Sequence, residues 1–216
     1  MEPRELFMTR TRLHRYGAAA ALAAALIAGC GSDAADKTNT AGETPGATQS
    51  SADPSTAQLE AVRTSTAAFA DVAAAKAAGY TVWSPDPMAP KPSCPSAPEG
   101  KMGYHLVNPA LRGTPAKAAE ADATLDPAKP EQLLYQMKAD GTLELVGVEY
   151  LVFKAAWERE HGAGAAPPQV LGQPVPASKH SFKTGGPEIE HYELHVWLHA
   201  ENPNGMFAAY NPSITC

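Results

Sequence analysis

The stretch that most constrains this chain is His191-Tyr192-Glu193-Leu194-His195-Val196-Trp197-Leu198-His199. Its even positions are apolar, and its odd positions carry three histidines, a carboxylate and an indole. An apolar residue at every second position is the signature of a strand with one face in a core. As a helix, Leu194, Val196, Trp197 and Leu198 would scatter around the cylinder, so the alternation predicts a strand over 190–199. The face that the strand turns away from that core is unusually rich in groups that bind protons and metals.

Three further strands follow from shorter patterns. Met102 to Val107 is stopped by Asn108-Pro109. Residues 132–137 and 142–153 flank Ala139-Asp140-Gly141, and Asp-Gly is a strong hairpin signal. From Leu145 to Phe153 both faces are apolar, as in the centre of a sheet, and Glu149 interrupts that run. Thr56 to Gly79 reads as one long helix, with Leu59, Val62, Thr66, Phe69, Val72, Ala73 and Lys76 at three-four spacing, a cap at Ser55 or Thr56 and Gly79 at its end. Ala155 to His161 reads as a short helix. Thr81 to Gly100, with six prolines, and Gly162 to Pro187 read as irregular loops, and Ala110 to Pro130 as a polar connection. The expected fold is α+β: one long helix packed on a small antiparallel sheet, with long Pro/Gly-rich loops.

The N-terminal region reads as a targeting segment. Arg10, Arg12, His14 and Arg15 precede an apolar run, Ala18 to Ala28, too short to span a bilayer; Met8 is an alternative start. The run ends in Leu26-Ile27-Ala28-Gly29-Cys30, which resembles a bacterial lipobox. That resemblance implies cleavage before Cys30 and a diacylglyceryl group on its thiol; the plain alternative is an ordinary secretory signal. Gly31 to about Ala57 has no apolar period and reads as a disordered tether with a reach of roughly 30 Å. The expected organisation is thus 1–29 signal peptide, 30–57 lipidated cysteine and tether, and 58–216 a single globular domain. Residue 30 would anchor the protein in a lipid bilayer, with the domain outside the cytoplasm, at the cell surface or in a periplasm.

The chain has three cysteines. Outside the cytoplasm, the two left after lipidation, Cys94 and Cys216, are expected to form a disulfide; two free thiols acting as metal ligands is the other possibility. A net charge of −6 makes nucleic acid an unnatural partner.

The candidate ligand or metal residues are His105, Glu149, His191, Glu193 and His195. Residues four apart on a strand are separated by about 13 Å, so His191 and His195 cannot chelate one ion through a straight strand. Either could do so with His105 or Glu149 from a neighbouring strand, a donor set suited to zinc or copper. His105 and His195 are the preferred metal ligands because each sits mid-strand, and His105, Glu149 and His195 are expected to converge. His199 and His161 read as surface residues. The plain alternative is a half-exposed face whose histidines pair with Glu188, Glu190 or Glu193, with Glu149 meeting Lys154 or Arg159. Catalytic signatures are absent: there is no Gly-x-Ser-x-Gly elbow, no His-Glu-x-x-His helix and no phosphate-cradling glycine loop. No cofactor is indicated. Two functional classes remain: a tethered binding or structural module that takes a metal ion or small ligand, and a small extracytoplasmic enzyme using a His–Glu acid/base pair.

Several stretches resemble a family of small exported bacterial proteins and lipoproteins. They are Gly103-Tyr104-His105-Leu106-Val107-Asn108-Pro109, Asp126-Pro127-Ala128-Lys129-Pro130-Glu131 with Leu133-Leu134-Tyr135, and Val146-Gly147-Val148-Glu149-Tyr150. The longest runs from His191 through Asn202-Pro203-Asn204-Gly205-Met206-Phe207 to Asn211-Pro212 and Cys216. The resemblance covers most of the chain after residue 58 and implies one domain with these strands. It supplies no catalytic residues.

Overall fold

Alternating residues on a strand must find cover on two sides, and this sheet is covered differently on each. The computed structural model describes residues 53–84 and 92–216, all within one compact unit, Gly46–Cys216. The expected signal peptide, Cys30 and most of the tether lie outside the described residues.

In chain order, α1 (Thr56–Thr66) and α2 (Val72–Ala77) flank a 3-10 turn (Ala67–Ala70). Strand β1 (Val82–Ser84), the small ladder of β2 (Ser96–Ala97) and β3 (Gly100–Lys101), and β4 (Tyr104–Val107) follow. After α3 (Pro109–Arg112) and a 3-10 segment (Pro115–Glu120) come β5 (Gln132–Met137), β6 (Leu143–Phe153) and α4 (Lys154–His161). A second small ladder, β7 (Gln169–Val170) and β8 (Gln173–Pro174), precedes β9 (Ala177–Ser181) and β10 (Glu188–Val196). The main sheet has six antiparallel strands in the order β1-β4-β5-β6-β10-β9.

The α+β class and the antiparallel sheet agree with the sequence reading; the single long helix does not. The helical pattern breaks at Asp71, whose backbone is extended (φ −89°, ψ 114°) and whose carboxylate accepts a hydrogen bond from Ala73 N. A capped second helix replaces the continuous one, because the cap satisfies an orphan N–H that an unbroken helix would not leave free. Ser55 caps α1 in a reciprocal capping box with Gln58. Two segments read as irregular loops also contribute strands: β1 and β2 from the proline-rich stretch, and β7, β8 and β9 from 162–187.

One face of the sheet carries Leu106, Val148, Tyr150, Val152, Tyr192, Leu194 and Val196, all buried in a core that also takes Val62, Ala75 and Tyr80 from the helical region. Tyr135 belongs to the same core, and its hydroxyl donates to Phe69 O at 2.6 Å, tying the 3-10 turn to β5. Each such aliphatic side chain contributes roughly 1.5–3 kcal/mol by leaving water.

The other face is covered by loops and the C-terminal tail. Ile214 packs with Leu134 and Trp197, and Lys101 and Asn211 exchange backbone hydrogen bonds. Cys94 and Cys216 are disulfide-bonded, with Cα atoms 6.3 Å apart. Gly147 allows the close approach at the end of β10: a Cβ there would lie 2.5 Å from Val196 O. Beyond Val196 the pairing is divided, since Trp197 N donates to Met206 O while His199 N donates to Val146 O. The strand therefore ends three residues before the sequence pattern does.

Candidate metal centre

Register fixes which side chains can meet. His195 on β10 lies opposite Glu149 on β6, Glu149 opposite Gln132 on β5, and His105 on β4 opposite Leu134 on β5. These residues share the loop-covered face, because paired residues point the same way and successive ones alternate. Gly103 sets the entry into β4: its φ is +79°, and a Cβ there would lie 2.7 Å from Tyr135 O.

His105 Nε2 lies 3.1 Å from Glu149 Oε2 and 3.2 Å from His195 Nε2, and His195 Nε2 lies 3.7 Å from Glu149 Oε2. All three side chains are buried. The point equidistant from the three donor atoms is about 2 Å from each, which is the bond length of zinc to imidazole nitrogen or carboxylate oxygen. The hydrogen-bond geometry at Glu149 is nevertheless poor. Glu149 Oε2 and His105 Nδ1 have no hydrogen-bond partner among the described residues, although Oε2 is within contact distance of an imidazole. His105 Nε2 and His195 Nε2 are within hydrogen-bond distance of each other, while Glu149 Oε2, similarly close to His105 Nε2, makes no hydrogen bond to either ring. An unpartnered buried polar atom costs on the order of 1–3 kcal/mol, and a cation at the shared point would remove most of that cost at Glu149.

Burial lowers the pKa of His195, against the opposing field of Glu149. The neutral ring, the form in which an imidazole can act as a metal ligand, is thereby favoured. Arg112, which the sequence reading passed over inside a polar connection, is buried nearby. Desolvation lowers it to about 10, opposed by the charge of Glu149, so it remains a cation at neutral pH. Its guanidinium lies 5.2 Å from the Phe182 ring centre and reaches Gln132 Oε1 at 3.5 Å.

His191 and Glu193 do not join this triad. They form a second group with His180 on β9, which lies in the stretch expected to be irregular. Glu193 Oε2 is 3.1 Å from His191 Nε2 and 3.3 Å from His180 Nε2. Burial alone would raise the Glu193 pKa; the hydrogen bonds from His180 and His191 override it and hold it well below the usual carboxylate range. Burial lowers His180, but Glu193 more than offsets this and leaves it raised. Phe182 stands behind both rings, 4.6 Å from His180 and 5.1 Å from His191 between ring centres.

A cavity of about 30 Å³ separates the two groups, lined among others by His105, Glu149, His180 and Glu193. His195 and Glu193 also border a surface depression of about 320 Å³ with Met102, Phe207 and Tyr210. The alternative partners fall elsewhere: Glu190 pairs with Lys154 and Glu188 with Lys179, while Arg159 binds the backbone carbonyls of Ala119 and Ala121. His161 and His199 are exposed, and His161 stacks on Trp157.

No family model matches the chain, and no curated protein or solved structure is detectably similar to it. The chemistry of the site must therefore be argued from its own atoms.

Proposed function

We propose that this chain is an exported, lipid-anchored domain that holds a divalent transition-metal ion at His105, Glu149 and His195. The observation that carries the reading is the convergence of three buried donor atoms on one point about 2 Å from each. Two imidazoles and a carboxylate suit zinc, with copper next by donor chemistry. The anchor rests on the lipobox-like run ending at Cys30, and membership of the exported family on the stretches quoted above. Among the described residues no helix is long and apolar enough to cross a membrane.

Three protein ligands leave a coordination position open. The enzymatic alternative has less support. The cavity beside Glu149 is about 30 Å³, room for one solvent-sized species rather than an organic substrate. The larger depression reaches His195 but not Glu149, so it does not present the two as an acid/base pair.

Zinc titration of the chelator-treated protein by calorimetry is expected to show tight stoichiometric binding. His195→Ala should weaken it by roughly a hundredfold or more, since even loss of a partner that merely orients a ligand costs about 10–100-fold. Unchanged affinity in that variant would remove the site and leave only polar pairing. For the anchor, Cys30→Ser is expected to shift the protein from the membrane to the soluble fraction; retention in the membrane would discard lipidation at that cysteine.

A further inference from the structure

We infer that His180, His191 and Glu193 hold a second divalent cation, so that the sheet face carries a two-ion centre. The two-ion arrangement rests on the first site proposed above, but the second site stands on its own atoms.

The protons of His191 are fixed by its neighbours. Its Nδ1 lies 2.8 Å from Ile189 O. A carbonyl oxygen can only accept, so Nδ1 carries the ring proton. In the neutral ring Nε2 then turns a lone pair toward Glu193 Oε2, only 3.1 Å away. The side chain is 0% exposed, so no bulk water relieves the opposition of lone pairs. Either a second proton or a cation must lie between the two atoms. The bond from Nδ1–H to a backbone carbonyl is also the contact that commonly fixes the tautomer and orientation of a metal-binding histidine.

His180 supplies the third donor. Its Nε2 meets the same carboxylate oxygen at 3.3 Å, and one donor atom from each of the three residues lies within 4.8 Å of the others. Two imidazoles and one carboxylate repeat the donor set of the first triad, which suits zinc or another borderline divalent ion. The buried members preorganise the site: His191 is held by Ile189 and by the Phe182 ring. The exposed member gives access, because the His180 side chain is 42% exposed while that of Glu193 is 13% exposed. An ion can therefore enter from the β9 edge.

The two sites are close by construction. Glu193 and His195 are alternate residues of β10, and Cα atoms two apart on a strand are separated by about 6.6 Å. Both triads border the cavity of about 30 Å³, through His105 and Glu149 on one side and His180 and Glu193 on the other. A hydroxide- or water-sized ligand in that cavity would be within reach of both centres.

The test is metal stoichiometry of the full chain, stripped with chelator and dialysed against zinc alone, with elemental analysis per mole of protein. The wild type is expected to retain two zinc ions, and His180→Ala and Glu149→Gln one each. Combining the two substitutions should retain none. Circular dichroism of each variant should match the wild type, which is expected because His180 is half exposed and Glu149→Gln keeps the side-chain shape. If the wild type retains one zinc and His180→Ala keeps it, the second site is overturned and the first stands. If the single zinc is lost in His180→Ala but kept in Glu149→Gln, the second site stands and the first reading falls. If no zinc is retained, both are overturned.

Discussion

The two faces of the sheet handle buried polar groups in opposite ways. On the helix-covered face, Tyr80, Tyr135 and Tyr150 each donate to a backbone carbonyl, of Pro130, Phe69 and Pro127, at 2.6–2.8 Å. Every one of these hydroxyls has a fixed partner, and each bond ties a connecting segment to the core. On the loop-covered face the polar groups meet one another, and Glu149 Oε2 and His105 Nδ1 are left without partners among the described residues. A core built only for stability satisfies its buried donors and acceptors. Keeping the Glu149 carboxylate oxygen buried and unsatisfied beside two imidazoles is costly without a ligand, so the difference between the faces is itself an argument for a ligand.

Glu131 tests the rule on the helix-covered side, beside Tyr80 and Tyr150, whose own pKa values it helps to raise. Desolvation raises its carboxyl to about 8, although the bond from Leu151 N works in the other direction. The unfolded chain ionises this group near 4.5 and the folded protein near 8. Between those values the folded state binds more protons, so stability is greatest at the acid end and falls as pH rises, by on the order of 1.4 kcal/mol per pH unit from this group. Above about 8 the loss levels off. In urea denaturation across pH 5–8, the difference in stability between wild type and Glu131→Gln should change with this slope, the largest effect expected here. An equal slope in the variant would mean that Glu131 is not held neutral and that the helix-covered side is not uniformly closed to charge.

How much of this was legible in the sequence depended on burial. Strand β5 occupies Gln132–Met137 as its pattern and hairpin turn indicate; β6 shows as a continuous apolar run because both its faces are buried, and β10 as an alternation of apolar and polar residues. The edge strands β1 and β9 have less to bury, so their residues carry no clean alternation. His180 was missed for that reason, and with it the third member of the second triad. Asp71 is a cap residue in the middle of a helical pattern, a signal that the run of alanines masked; alanine fits a helix equally well before and after a break. Arg112, between Leu111 and Gly113, and Glu131, after Pro130, stand in segments without periodicity, and their burial arises only from tertiary packing. The convergence of His105 and His195 with Glu149 was accessible because His105 and Glu149 each interrupt an otherwise apolar strand and His195 lies mid-strand on the polar side of an alternating one.

The sharpest test of the contrast between the faces places one substitution on each, at neighbouring positions of β6. Tyr150→Phe deletes a satisfied hydroxyl and strands Pro127 O, so it should destabilise the protein by about 1 kcal/mol. Glu149→Gln deletes a carboxylate oxygen that has no hydrogen-bond partner and supplies an amide that can donate toward a neighbouring imidazole lone pair. In metal-free protein at pH 7 it should therefore be neutral or stabilising, by up to roughly 1 kcal/mol, while zinc binding is lost. Adding zinc should then reverse the order of wild type and Glu149→Gln in thermal denaturation, because only the wild type gains from a ligand that binds the folded state. The Tyr150→Phe deficit should stay the same with and without zinc. If Glu149→Gln instead destabilises the metal-free protein as much as Tyr150→Phe does, the carboxylate is an ordinary satisfied core group, and the two faces follow one rule.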